Sequence, residues 1–135
     1  MTRQDKTRDV DSAYAATRMD DAQAYLQQAQ ISLDYVEGTR RYATVVSAAA
    51  IAGIAATDVV CARTLGKVSA GAHNQAAKLL STVYESEKAR IDLSKLLGIK
   101  TGAQYAGKTV TERDAVEAIK RAQRLVIFAE SHQRK

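Results

Sequence analysis

Between Asp11 and Glu37 the apolar positions Ala15, Met19, Ala22, Leu26, Ala29, Leu33 and Val36 recur in alternating steps of four and three. This spacing keeps one stripe of an α-helix apolar, the seam of a long helix packed at a shallow angle on its neighbours. Gly38 ends the pattern and Arg40–Arg41 begin the return, a short connection that makes the next helix an antiparallel neighbour. That second helix, Arg41 to Leu65, carries no charge between Arg41 and Asp58 and is built mainly from small residues. A helix apolar nearly all round belongs in the middle of a bundle. Gly53 at its centre costs about 1 kcal/mol relative to alanine, which close approach of another helix, or of another copy of the chain, would explain. Asp58 shares a face with Ile51, Ile54, Ala62 and Leu65 and is expected to be partly buried. A buried carboxylate needs a partner, and Arg63 and Lys67 are the nearest cations along the chain.

A glycine-bearing loop, Gly66 to Gly71, follows and leads to a third helix from about Ala72. His73 lies on the stripe that continues through Ala76, Ala77, Leu80 and Val83, with Asn74, Lys78 and Ser81 on the watery side. The apolar phase slips after Val83, which predicts a turn at Tyr84–Ser86. A fourth helix to Leu97 turns Ala89, Leu93 and Leu96 inward, and 98–110 reads as irregular because it holds three glycines. Thr111 with Asp114 three residues on is a helix N-cap. The fifth helix then runs to about Glu130, burying Ala115, Ile119, Ala122, Val126 and Ala129. The pattern predicts an all-α, antiparallel four- to five-helix bundle. It forms one domain over 10–131, between a flexible polar arm (1–9) and a tail (132–135). No strand signal is present.

Composition narrows the function classes. The chain has 135 residues, no proline and a single cysteine, Cys61, which reads as a small buried apolar residue in a reducing compartment. No secretory leader is visible. The uncharged stretch, Tyr42 to Thr57, falls short of the ~20 residues that a membrane span needs. A soluble, cytoplasmic protein without membrane association is the expectation. The net charge of +5 permits attraction to phosphate, but the basic residues are scattered, and six tyrosines and one phenylalanine make no stacking platform.

Candidate chemistry gathers at the loop. One cysteine and two histidines, His73 and His132, give no zinc-ligand spacing, and no glycine cluster follows a strand as a phosphate loop would. No metal or cofactor is expected. Asp58, Lys67 and His73 remain, and all three can converge at one end of the bundle. There the exposed N–H groups of the third helix favour an anion. The same residues also have a structural reading, with His73 as a packing or capping group, Lys67 as a solvated cation and Asp58 paired to Arg63 or Lys67.

The block AAAIAGIAATDVVCARTLGKVSAGAHNQAAKLL, followed by LLGIKTGAQYAGKTVTERDAVEAIKRAQRLV, resembles bacterial HEPN-domain proteins, especially small actinobacterial ones. In those an alanine-rich helix bearing an Asp leads into a basic loop and a histidine. The resemblance covers most of Thr39 to Glu130 and implies an antiparallel helical bundle that forms a homodimer. It also implies a metal-independent endoribonuclease, in many members the toxin of a toxin–antitoxin pair whose partner is a small nucleotidyltransferase. The family's Arg followed by a His maps onto Lys67 and His73, with five residues between them. Lys67 stands in place of the Arg, Val68 where active members usually carry a polar residue, and Gln75 where some toxins have a modifiable tyrosine. The resemblance assigns catalysis to His73, Lys67 and Asp58. It assigns contacts to RNA phosphate or a partner to Arg63, Asn74, Lys100, Gln104 and Tyr105. Its alternative is a catalytically inactive module that binds a partner protein or a nucleotide.

Overall fold

The helix that carries the uncharged run is the centre of the fold. The computed structural model describes residues 6–35, 41–71, 73–105 and 109–132. Its elements are β1 (Thr7–Asp9), α1 (Ser12–Tyr35), α2 (Arg41–Leu65), β2 (Lys67–Ser69), α3 (His73–Leu80), α4 (Glu87–Tyr105) and α5 (Glu112–Ser131). Thirteen of the 25 residues of α2 are buried, most of them alanine or valine. Between Val45 and Ala62 a single stripe, Ser47, Ile51, Ile54, Asp58 and Ala62, is half-exposed, and the helix opens further to solvent at its two ends. By length and composition α2 could cross a membrane, yet most of it is buried by the other helices.

Polar contacts fix the helix directions. Val10 N–H donates to Gly66 O (3.0 Å) at one end of α1 and α2, and the Arg41 guanidinium donates to Leu33 O near the other. These two helices are antiparallel. Tyr42 Oη donates to Glu112 (3.4 Å) and Arg63 Nη1 to Ala129 O (3.2 Å), so α2 and α5 run parallel. Asp92 of α4 accepts from Arg121 (2.8 Å) and Arg124 (3.3 Å) in the second half of α5, so that pair is antiparallel. The result is an up-down-up-down bundle with the short α3 beside α2 and α4. Small side chains let the diagonal pair, α2 and α5, touch directly. At Gly53 a Cβ would stand 2.4 Å from Leu96 Cδ2 and 3.1 Å from Leu125 Cδ1. The close approach expected there comes from side chains of α4 and α5 in the same chain.

The core follows the predicted stripes. Ala15, Met19, Ala22 and Ala29 of α1 are buried, with Leu26 and Leu33 packed against them; Val36 lies outside the described residues. Ala89, Leu93 and Leu96 of α4 face inward, as do Ala115, Ile119, Ala122, Val126 and Ala129 of α5. Each fully buried Leu or Val contributes about 1.5–3 kcal/mol. Thr111 caps α5 with a reciprocal pair of bonds. Its side chain accepts from Asp114 N–H (3.1 Å) while its own N–H donates to the Asp114 carboxylate (3.1 Å).

Three expectations need correction. A two-stranded antiparallel ribbon exists, with Thr7 opposite Ser69, Arg8 opposite Val68 and Asp9 opposite Lys67. Part of the arm read as flexible is therefore a strand; residues 1–5 lie outside the described part. The fourth helix does not stop at Leu97 but continues through Gly98 and Gly102 to Tyr105. Nothing comes within 4 Å of a Cβ built on either glycine. They face open space, where a helix tolerates glycine at about 1 kcal/mol each. His132 is not a free tail residue: it caps α5, with its Nδ1 2.8 Å from Phe128 O and its ring edge-on to Phe128 at 4.5 Å.

Candidate functional site

Asp58 is held by a residue the sequence did not suggest. Arg18 Nε of α1 donates to Asp58 Oδ2 (3.1 Å), and the Asp58 side chain retains only 13% of its exposure. Neither Arg63 nor Lys67 is its partner: Arg63 spans to the Ala129 carbonyl of α5. Burial pushes the Asp58 carboxyl above its ordinary range. Arg18 opposes that shift by charge and hydrogen bond, with smaller help from the Tyr14 hydroxyl and Arg8. Arg8 of β1 lies over the Tyr14 ring, its guanidinium carbon 5.0 Å from the centroid. Burial also raises Tyr14, and Asp58 adds to it. Cys61, one turn on from Asp58, is 2% exposed and its thiol is pushed up to about 12, chiefly by burial. So protonated and so hidden, it is no nucleophile. This cluster pins α1 and β1 to α2.

The ribbon then sets the loop. Val68 is buried (1% exposed) against the core, which accounts for an apolar residue at that position. Its neighbours Lys67 and Ser69 alternate to the other face of the strand and are partly exposed. Among the described residues no carboxylate forms an ion pair with Lys67, although Asp9 stands opposite it in register. Two further backbone bonds fix the segment: Ala70 N–H to Lys6 O (3.0 Å) and Gly66 N–H to Ala62 O (3.0 Å), with Gly66 at a φ of 71°. Such a φ suits glycine and lets the chain leave α2 sharply. Lys67 is therefore carried on a fixed strand that leads within four residues to the first residue of α3, His73.

At the same loop Gln75 folds back over Gly71. A Cβ on Gly71 would stand 1.8 Å from Gln75 Oε1, and that oxygen is buried without a hydrogen-bond partner. An orphaned buried acceptor is costly unless something donates to it. Sequence reasoning marked Gln75 only as a departure from a family pattern. The signal that could have singled it out is the glycine four residues earlier, just ahead of α3. Replacing Gly71 by alanine must swing the Gln75 amide aside. Because the obstructing atoms are the end of a flexible side chain, the expected stability change stays within about 0.5 kcal/mol, while any ligand contact made by Gln75 is lost. Chemical denaturation beside a binding titration checks the pair of outcomes.

The other candidates are dispersed. His73 and Asn74 open α3, and Gln104 and Tyr105 close α4, but the side chains of these four lie outside the described part of the structure. Lys100 sits in the half of α4 that runs towards the N-terminal ends of α2 and α5, whereas the Lys67–His73 loop lies at the C-terminal end of α2. The fold thus brings Lys67, Gln75 and the start of α3 together with Arg63 at one end. It does not bring Lys100, Gln104 or Tyr105 there, and Asp58 is engaged elsewhere. No group of three or more His, Cys, Asp or Glu residues able to hold a metal occurs among the described residues. No protein-family model matches the chain, and no curated protein matches it. Fold and geometry by themselves define a five-helix bundle with a partly exposed cation on a short strand ahead of a helix that begins with histidine.

Proposed function

We propose that the chain is a HEPN-type protein that binds RNA at the Gly66–His73 loop and cleaves it without a metal. The observation that carries the reading is Lys67, partly exposed and without an ion pair among the described residues, fixed on the ribbon just ahead of His73. In this reading Lys67 neutralises the scissile phosphate, as a point charge rather than a bidentate clamp. A ribose 2′-oxygen attacks the adjacent phosphorus, the bond to the 5′-oxygen breaks, and His73 moves a proton as general base or acid. The backbone N–H groups at the start of α3 and Lys67 stabilise the charge that develops on the phosphoryl oxygens. Asp58 takes no part; its role is structural. The protein acts in the cytoplasm as a homodimer, paired with a nucleotidyltransferase-type antitoxin.

A second reading, a binding module without catalysis, is favoured by one observation: Asp58 is committed to Arg18 and is not free to orient an imidazole. Incubating the purified protein with mixed RNA in excess chelator, beside His73→Ala, separates the two. The nuclease reading expects cleavage that drops at least a hundredfold in the variant, within the range typical of general acid–base groups. Wild type that binds RNA or a nucleotide but never cuts would establish the module instead. Cleavage undiminished by His73→Ala would remove the site altogether.

A further inference from the structure

A groove of about 600 Å³ runs between the first turns of α4 and the last turns of α5, and none of the residues that line it belongs to the loop. Ala89, Ile91, Ile127 and Phe128 are its apolar lining. Ile127 is 61% exposed and Ile91 42% exposed, two large apolar side chains open to water on one surface. Scattered apolar residues are ordinary on a protein surface; a contiguous strip in a concave site marks an interaction surface. Charge on the rim says what kind. Asp92 is almost fully buried, and its carboxylate is consumed by Arg121 and Arg124. It therefore projects little negative potential outward. Arg124 keeps 59% of its side-chain exposure and Lys88 is exposed, and with the Asp92 pairing counted the lining (Lys88, Arg121 and Arg124 against Glu85 and Asp92) keeps a net charge of +1.

From this geometry we propose that the α4–α5 groove docks an amphipathic helix of another protein, one whose apolar stripe is flanked by acidic residues. Two antiparallel helices leave a channel that takes side chains spaced i, i+3, i+4 and i+7 from a third. The basic rim selects the sign of the flanks. An RNA strand would meet the same rim but would gain nothing from the exposed isoleucines. A second copy of this chain fits less well. Its exposed acidic face, with Asp20, Asp34, Ile31 and Tyr35 on α1, lies across the α2–α5 pair from α4. Copies joined that way would build an open chain rather than a closed dimer, and each carries a net charge of +5.

Two synthetic helical peptides with the same leucine stripe, one flanked by glutamate and the other by lysine, test the proposal by calorimetry on the full-length protein. The glutamate peptide is expected to bind at least tenfold more tightly than the lysine peptide. Ile127→Glu should abolish binding, and Arg124→Glu should weaken it at least fivefold. Both positions are exposed, and a circular dichroism melt of each variant confirms that it folds. A lysine peptide binding as well as the glutamate one, or neither binding, overturns the proposal. So does a sedimenting oligomer that Ile127→Glu dissolves, which would assign the groove to a second copy, or RNA binding lost in Arg124→Glu without any peptide binding.

Discussion

Replacing Arg18 by methionine is expected to destabilise the fold by about 2–3 kcal/mol at pH 7 and by clearly less at pH 4. Methionine keeps the aliphatic contacts and removes only the charge. Breaking a fully buried pair by deleting one partner costs about 3–5 kcal/mol. The pair here keeps 25% and 13% side-chain exposure, so solvent relieves part of that cost. The pH dependence follows from Asp58. Its folded-state pKa is raised, foremost by burial. The folded protein therefore binds this proton more tightly than the unfolded chain does. The associated stability is fully present below the unfolded pKa, near 3.9, and is lost as pH rises through the folded value. Without Arg18 the carboxyl rises further, so the deficit against wild type widens from pH 4 to pH 7. Urea denaturation at both pH values measures it, and Arg18→Met combined with Asp58→Asn should recover most of the loss. Equal deficits at the two pH values would mean that packing, not the ion pair, holds α1 to α2.

The second large effect is expected at the contact between α2 and α4. Leu96→Ala removes a fully buried side chain and should cost about 2–5 kcal/mol. Gly53→Ala alone gains about 1 kcal/mol of helix propensity. It also forces a methyl to 2.4 Å from Leu96 Cδ2, an overpacking that costs about 1–3 kcal/mol. The net is a loss of about 1 kcal/mol. In the double variant the alanine at 53 fills part of the space that Leu96 vacates and keeps its propensity gain. Its total cost should thus fall below the sum of the singles by at least about 1 kcal/mol, a coupling that a double-mutant cycle reads directly. Strict additivity would place Gly53 outside that contact.

How far the sequence spoke depended on whether the signal was local. The ends of α2 were readable because Arg41 heads an uncharged run and Gly66 follows directly on Leu65, and the start of α5 because Thr111 and Asp114 stand at capping spacing. Gly98 and Gly102 misled, since a glycine that ends a helix and one that merely faces open space look alike in one dimension. The ribbon was invisible for another reason. Its strands have three residues each, too few for a period, and their partners lie sixty positions apart. The Arg18–Asp58 pair is also nonlocal but had a usable signal. Both residues stand twenty positions from Gly38, and in two antiparallel helices joined there, residues equidistant from the turn face each other. At the loop, Lys67 and His73 were found by residue type and spacing. What fixes Lys67 is Val68 in the core and the strand opposite, neither of which a spacing can reveal.

The chemistry of the RNA ends reports most directly on the loop as a cleavage site. After incubation in chelator, the account predicts fragments ending in a 2′,3′-cyclic phosphate and a 5′-hydroxyl, formed by wild type and lost in His73→Ala. Fragments ending in a 3′-hydroxyl and a 5′-phosphate, or RNA left intact by a folded wild-type protein, would contradict it.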